Sequence, residues 1–212
     1  MKNYLFDFDG TLVDSMPTFA GVMLRILDEN GVNYSPDIIK IITPLGYHGT
    51  AKYFREVLGL ELSEKESLLK MLEYMKHAYT YTIPAKDGVI ETLVELKKRG
   101  CSLNILTASP HDVLDPCLKR LGIYDIFDNV WSCDDFKTTK ANPEIYRMAA
   151  EKIGVSVEDV SFLDDNYNAD KTAKSAGMRV VGVYDESSRE YVEEMKALCD
   201  GYIYNFKELM HT

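Results

Sequence analysis

Short apolar runs rich in β-branched and aromatic residues alternate with longer stretches of helical period, the order expected of β-α-β units around a parallel sheet. The runs are residues 4–8, 102–106, 130–133, 160–163, 179–184 and 201–204. Helices with readable ends lie between several of them. Residues 88–99 stop at Gly100, and residues 144–153 start behind Asn142-Pro143 and stop at Gly154. The segment opened by Ser109-Pro110 closes at Gly122, but Pro116 inside it removes an amide donor, so a kink or two short helices are expected there.

Residues 15–84 read differently, because no convincing strand interrupts them. A stripe of Phe19, Val22, Met23, Ile26 and Leu27 before Gly31 predicts a helix over 16–30. Further helix starts stand at Ser35-Pro36 and at Ser63, where Ser63 and Glu66 have the spacing of a capping box. The pattern thus predicts a discontinuous α/β core, residues 1–14 plus 85–212, with a helical module over 15–84 inserted after the first strand.

Composition narrows what such a chain does. Of 212 residues, 46% are apolar and 27% charged, enough to bury a core. Lys plus Arg is 24 against 34 Asp plus Glu, a net charge of −10 that repels phosphate backbones and anionic lipid. Nucleic acid and membrane are therefore not expected partners. No apolar run approaches the ~18 residues of a membrane span, so a cytoplasmic chain is expected. Cys101, Cys117, Cys133 and Cys199 are widely spaced and are expected as reduced, packed thiols. A monomer or weak homodimer is expected.

The densest chemistry is Asp7-Phe8-Asp9-Gly10-Thr11 directly behind the first strand. Side chains two apart on a strand share a side, so Asp7 and Asp9 can converge beyond its carboxyl end, while Gly10 permits a sharp turn. Ligands of open parallel sheets bind at that end, and two carboxylates there repel unless a cation or proton lies between them. A hard divalent cation such as Mg²⁺ suits oxygen ligands of this kind. A lone Asp-x-Asp-Gly is more often a cap and a turn. Two further strands, however, also deliver polar groups at their carboxyl ends: 103–106 runs into Thr107-Ala108-Ser109, and 160–163 into Asp164-Asp165-Asn166. One shared site accounts for all three.

In these residues and their order the chain resembles the haloacid dehalogenase superfamily over essentially its whole length, in the branch of phosphatases and phosphomutases with a helical cap after the first strand. Asp7-Phe8-Asp9-Gly10-Thr11 matches the first motif, Thr107 the second, Lys140 the third and Asp164-Asp165 the fourth. The resemblance implies a Rossmann-like core and a nucleophilic Asp7 that forms an aspartyl phosphate and also binds Mg²⁺. It implies Asp9 as general acid and base, its backbone carbonyl reaching the metal. Thr107 and Lys140 would serve the phosphoryl oxygens, with Ser109 and Gly10 as further substrate contacts, and Asp165 would complete the metal shell. A glycine commonly precedes that metal aspartate, whereas Asp164 stands here. Either carboxylate can therefore take the metal, with Asp165 favoured. Further on, the chain aligns Ala169 where the family often has another acid or Asn.

An acid two residues after the nucleophile favours transfer from a phosphate ester over dehalogenation. A Mg²⁺-dependent phosphatase acting on a small phosphorylated metabolite is expected, with a phosphomutase as the alternative and a phospho-ligand or receiver domain behind it. Within the insert, residues 43–52 read as a glycine-punctuated loop, with His48, Arg55 and Lys76 as weaker candidates. His77, His111 and His211 form no metal spacing, and the acidic run 185–194 reads as a solvated helix face.

Overall fold

The computed structural model describes residues 2–42 and 45–211. The chain divides into two compact units, Met1–Asp14 with Pro84–Thr212, and Ser15–Ile83.

The first unit is built on six parallel strands: β1 (Asn3–Phe6), β2 (Ser102–Thr107), β3 (Asn129–Ser132), β4 (Val160–Asp164), β5 (Arg179–Val183) and β6 (Gly201–Ile203), in the order β3-β2-β1-β4-β5-β6. The fold is thus α/β and Rossmann-like. A parallel sheet covered on both sides buries both faces of its central strands, which is why β1 and β2 are buried throughout and read as continuous apolar runs. Asn104 is polar inside β2 yet satisfied: it donates to the carbonyl of Tyr4 and the hydroxyl of Ser102, and accepts from Asn129 at 2.7 Å. β1 has β2 on one side and β4 on the other, so the direction of winding reverses there. That reversal opens a crevice beyond its carboxyl end.

In the second unit, helices α1 (Met16–Glu29), α2 (Ile38–Ile42), α3 (Gly46–Glu56) and α4 (Glu64–Tyr81) follow one another without a strand among the described residues. The capping box at Ser63 is formed, with the Glu66 amide donating to Ser63 Oγ and the Ser63 amide to Glu66 Oε2. The stretch 43–52 is not a loop from Gly46 onward. It is the first part of α3, held by the buried stripe Thr50, Ala51 and Phe54, whose spacing outweighs the low helix propensity of Gly46 and Gly49. Thr43 and Pro44 lie outside the described residues.

The sheet unit adds α5 (Val89–Lys98), α6 (His111–Arg120), α7 (Glu144–Ile153), α8 (Tyr167–Ala176) and α9 (Val192–Leu198). α6 runs through Pro116 as one helix rather than two, because Leu114, Cys117 and Leu118 are fully buried on one side and offset the single amide donor lost. His111 opens it with both ring nitrogens facing carboxylates, Asp115 at 2.8 Å and Asp135 at 2.9 Å. Those two bonds, to Asp115 first and Asp135 second, raise its pKa above the ordinary histidine value. A raised folded pKa gives stability that is fully present below the unfolded value of about 6.5 and is lost as pH rises through the folded one. His111→Gln should therefore lower Tm at pH 6 and leave it unchanged at pH 9. An equal deficit at both pH values would show that the imidazolium is not the source.

Candidate active site

β1 ends at Phe6, but its ladder continues for one more residue, since the amide of Asp7 donates to Leu163 on β4 at 2.8 Å. The chain then folds back: the amides of Leu12 and Val13 both donate to the carbonyl of Phe8, and that of Gly10 to Val13. Gly10 has φ +74°, and a Cβ on it would lie 2.5 Å from Asp165 Oδ2, so only glycine fits both the backbone angle and the space. The turn is thereby laid directly against the end of β4.

Three strand ends and one loop meet there. Asp164 Oδ2 accepts from Lys140 at 2.8 Å and its Oδ1 from the Asn166 amide at 2.8 Å. Lys140 also donates to Asp7 Oδ1. Thr11 donates to Asp165 Oδ1 at 2.9 Å, and Ser109 to Asp9 Oδ2 at 2.5 Å. Thr107, buried at the end of β2, uses its hydroxyl oxygen to accept the Ser109 amide at 3.0 Å. Asp7, Asp9, Gly10, Thr107, Ser109, Lys140 and Asp165, all singled out in the sequence, thus lie at the carboxyl ends of these strands or on the loops that follow them.

The electrostatics are those of a pocket with too much negative charge. Asp7, Asp164 and Asp165 are buried, and one carboxylate oxygen from each lies within 4.8 Å of the other two, with the Lys140 ammonium bonded to Asp7 and Asp164. Burial, opposed by Lys140 and reinforced by Asp164 and Asp9, pushes Asp7 up to about 7. Burial and the charges of Asp164, Asp7 and Asp185 hold Asp165 well above the carboxylate range. Burial alone would lower Lys140, yet Asp164 and Asp7 more than reverse it and keep the amine protonated. One oxygen of Asp7 and one of Asp165 accept no hydrogen bond among the described residues. An all-oxygen, excess-anionic cluster with free lone pairs suits a hard divalent cation.

Several roles are not evident from the sequence. Asp164 is engaged by Lys140 and a backbone amide, which makes it the less open of the two adjacent carboxylates. Thr11 holds Asp165, a role its place in a turn does not announce. Asp170 lies on the Ala169, Ala173 and Ala176 stripe of α8, a helical spacing that does signal burial, and it accepts from Cys199 at 3.4 Å. Asp185 is buried rather than solvated: it caps the 3₁₀ turn behind it and pairs with Lys86 at 2.9 Å, which corrects the reading of 185–194 as one solvated face. In the helical unit, Arg55 donates to the carbonyl of Leu62, and Tyr79 is packed inside.

Comparison with known proteins bears on this geometry. A family model described as haloacid dehalogenase-like hydrolase matches residues 4–183. The chain is 33% identical over 181 residues to pyrophosphatase PpaX of Bacillus velezensis, covering 84% of this chain and 81% of that protein. It is 31% identical over 186 residues to a phosphoglycolate phosphatase of Neisseria meningitidis, covering 84% and 78%. Among solved structures, CbbY of Rhodobacter sphaeroides in complex with phosphate superposes with a TM-score of 0.77 at 23% identity, covering 99% of this chain and 96% of that one. No described helix is long and apolar enough to cross a membrane. The chain belongs to the haloacid dehalogenase-like hydrolase family and is a hydrolytic enzyme.

Proposed function

We propose that this hydrolase cleaves the phosphoryl group from a small phosphorylated metabolite by way of an aspartyl phosphate on Asp7, in a site that uses Mg²⁺. The observation that carries the reading is the pair of carboxylates Asp7 and Asp9 at one strand end, the first bonded to a buried ammonium and the second to a serine hydroxyl. The phosphatase names among the relatives support a substrate of this class.

The residues divide the work as phosphoryl transfer requires. A carboxylate oxygen of Asp7 attacks phosphorus in line, forming an O–P bond as the bond to the ester oxygen breaks. Asp9, protonated at that moment, gives its proton to the departing oxygen. As a carboxylate it then takes a proton from the water that attacks the aspartyl phosphate, which releases inorganic phosphate and frees Asp7. Lys140 places positive charge where the phosphoryl oxygens carry negative charge, and Thr107 and Ser109 offer hydroxyls at the same edge. Asp7, Asp165 and the backbone carbonyl of Asp9 would hold Mg²⁺, with Asp164 positioning Lys140. When bound, the ion offsets the negative charge of carboxylates and phosphate together. The helical unit is assigned to recognition of the leaving group.

The test is phosphate release from sugar phosphates, nucleotides, phosphoglycolate, pyrophosphate and an aryl phosphate, with and without Mg²⁺. Magnesium-dependent release from at least one ester supports the reading. No release, with isomer conversion of a sugar phosphate instead, replaces it with a phosphomutase. Asp165→Asn should raise the Mg²⁺ concentration for half-maximal rate by about tenfold or more, since loss of groups holding a metal site together costs 10–100-fold. An unchanged Mg²⁺ dependence would remove Asp165 from the metal shell.

A further inference from the structure

Lys86 is placed to act on the site without belonging to it. Its ammonium has three protons, and all three are used: it donates to the carbonyl of Gly10 at 2.6 Å, to the carbonyl of Tyr184 at 2.6 Å and to Asp185 Oδ2 at 2.9 Å. With no donor left over, it is not a substrate-binding cation. The three acceptors come from the turn behind β1 and the chain leaving β5, so one side chain ties these two segments together across the end of β4.

The backbone around Lys86 is tied to the same turn. Its own amide donates to the carbonyl of Leu12 at 3.0 Å, the amide of Asp14 donates to Pro84 at 3.0 Å, and Ala85 bridges Val13 in antiparallel sense. The turn holding Asp9, Gly10 and Thr11 is therefore gripped at several points. Ser109 holds the Asp9 carboxylate, Val13 accepts the Gly10 amide, and Lys86 holds the Gly10 carbonyl. Thr11, next in the chain, holds Asp165. Asp185 keeps the ammonium in place. Burial would raise its pKa, but bonds from Ser187 and Lys86 outweigh that and keep the carboxylate ionised.

We propose that Lys86, anchored by Asp185, is a positioning residue that clamps the Gly10 turn and thereby sets where Asp9 and Thr11 stand in the reaction. The proposal rests on the phosphatase reading for its kinetic consequence, but the clamp itself is a statement about the turn. A buried ion pair that served only the fold would be replaceable by an uncharged pair without loss of rate. A clamp would not be, because the methionine that replaces Lys86 has no proton to donate to Gly10.

The experiment compares full-length wild type, Lys86→Met and Lys86→Met/Asp185→Asn with Mg²⁺, reading kcat and KM for an aryl phosphate, Tm, and hydrogen exchange in the peptide covering residues 7–14. The single variant leaves a buried carboxylate unpaired and should lose Tm. The double variant removes that charge and should regain it. The expected result is a kcat lowered about tenfold to a hundredfold in both, the range for small misplacement of reacting groups. KM should be unchanged, and the 7–14 peptide should exchange faster in both. A double variant with wild-type kcat, or unchanged exchange in that peptide, would overturn the proposal. If wild type releases phosphate from no substrate, the phosphatase reading fails while the exchange arm still decides the clamp: faster exchange upholds it and unchanged exchange rejects it.

Discussion

Asp7→Asn should reduce turnover by about 10⁴-fold or more, the scale seen when a nucleophile is removed from a set of groups that act as a unit, while the fold remains intact. Asparagine keeps the shape and an oxygen for the Lys140 ammonium, but an amide does not displace an ester oxygen from phosphorus. The sign of the stability change separates this from unfolding. Asp7 is raised to about 7 from an ordinary value of 3.8, by burial first, so the folded state holds its proton over that window while the unfolded state gives it up. Its titration therefore takes stability from the folded protein as pH rises from about 4 to 7, a contribution the asparagine variant lacks. In the presence of a chelator at pH 8, its Tm should equal or exceed that of wild type. Near-wild-type turnover would remove Asp7 as nucleophile. A collapsed Tm would mean that the carboxylate holds the fold together and that lost activity says nothing of chemistry.

Lys140→Met should cost both activity and stability, and the two losses should respond differently to pH. The ammonium is bonded to Asp7 and Asp164, both buried, and breaking a buried pair from one side typically costs about 3–5 kcal/mol because the remaining charge is left uncompensated. The carboxylates should answer by taking up protons, since nothing else offsets their burial. The stability deficit should therefore shrink as pH falls from 8 to 5. The rate should not recover over the same range, because the phosphoryl oxygens have lost their positive partner, an effect of about 10²–10³ for a single stabilising donor. Denaturant unfolding at the two pH values, alongside phosphate release, reads both. A deficit that stays constant with pH would place the damage in packing, for instance against the Phe162 ring beneath the ammonium.

What could be read in the chain beforehand followed from local pattern. Strand runs, helix ends at Gly100 and Gly154, and the capping box at Ser63 depend on residues within a few positions of one another. A short motif behind a strand carries its own geometry too, so Asp7, Asp9 and Gly10 were legible, as was Thr107 at the end of the second run. Glycine content misled at residues 46–49, where burial of Phe54 and Ala51 outweighed propensity. At Pro116 the same burial keeps one helix where two short ones were an alternative.

The sequence by itself determined the alternation of strands and helices, the strand ends that carry acids, and the insertion between the first two strands, because periodicity and motif spacing are one-dimensional quantities. Only the tertiary structure decided which of two adjacent aspartates faces the ammonium, since Asp164 and Asp165 differ by the direction of a side chain at a strand end. It likewise decided that Lys86 and Asp185, 99 positions apart, form one pair against Gly10, the carboxylate buried and the lysine half-buried. In the sequence, one sits in an ordinary Lys-Asp-Gly turn and the other opens an acidic run. Their meeting depends on strand order, which places the chain leaving β5 near the turn behind β1, and no local pattern encodes that distance.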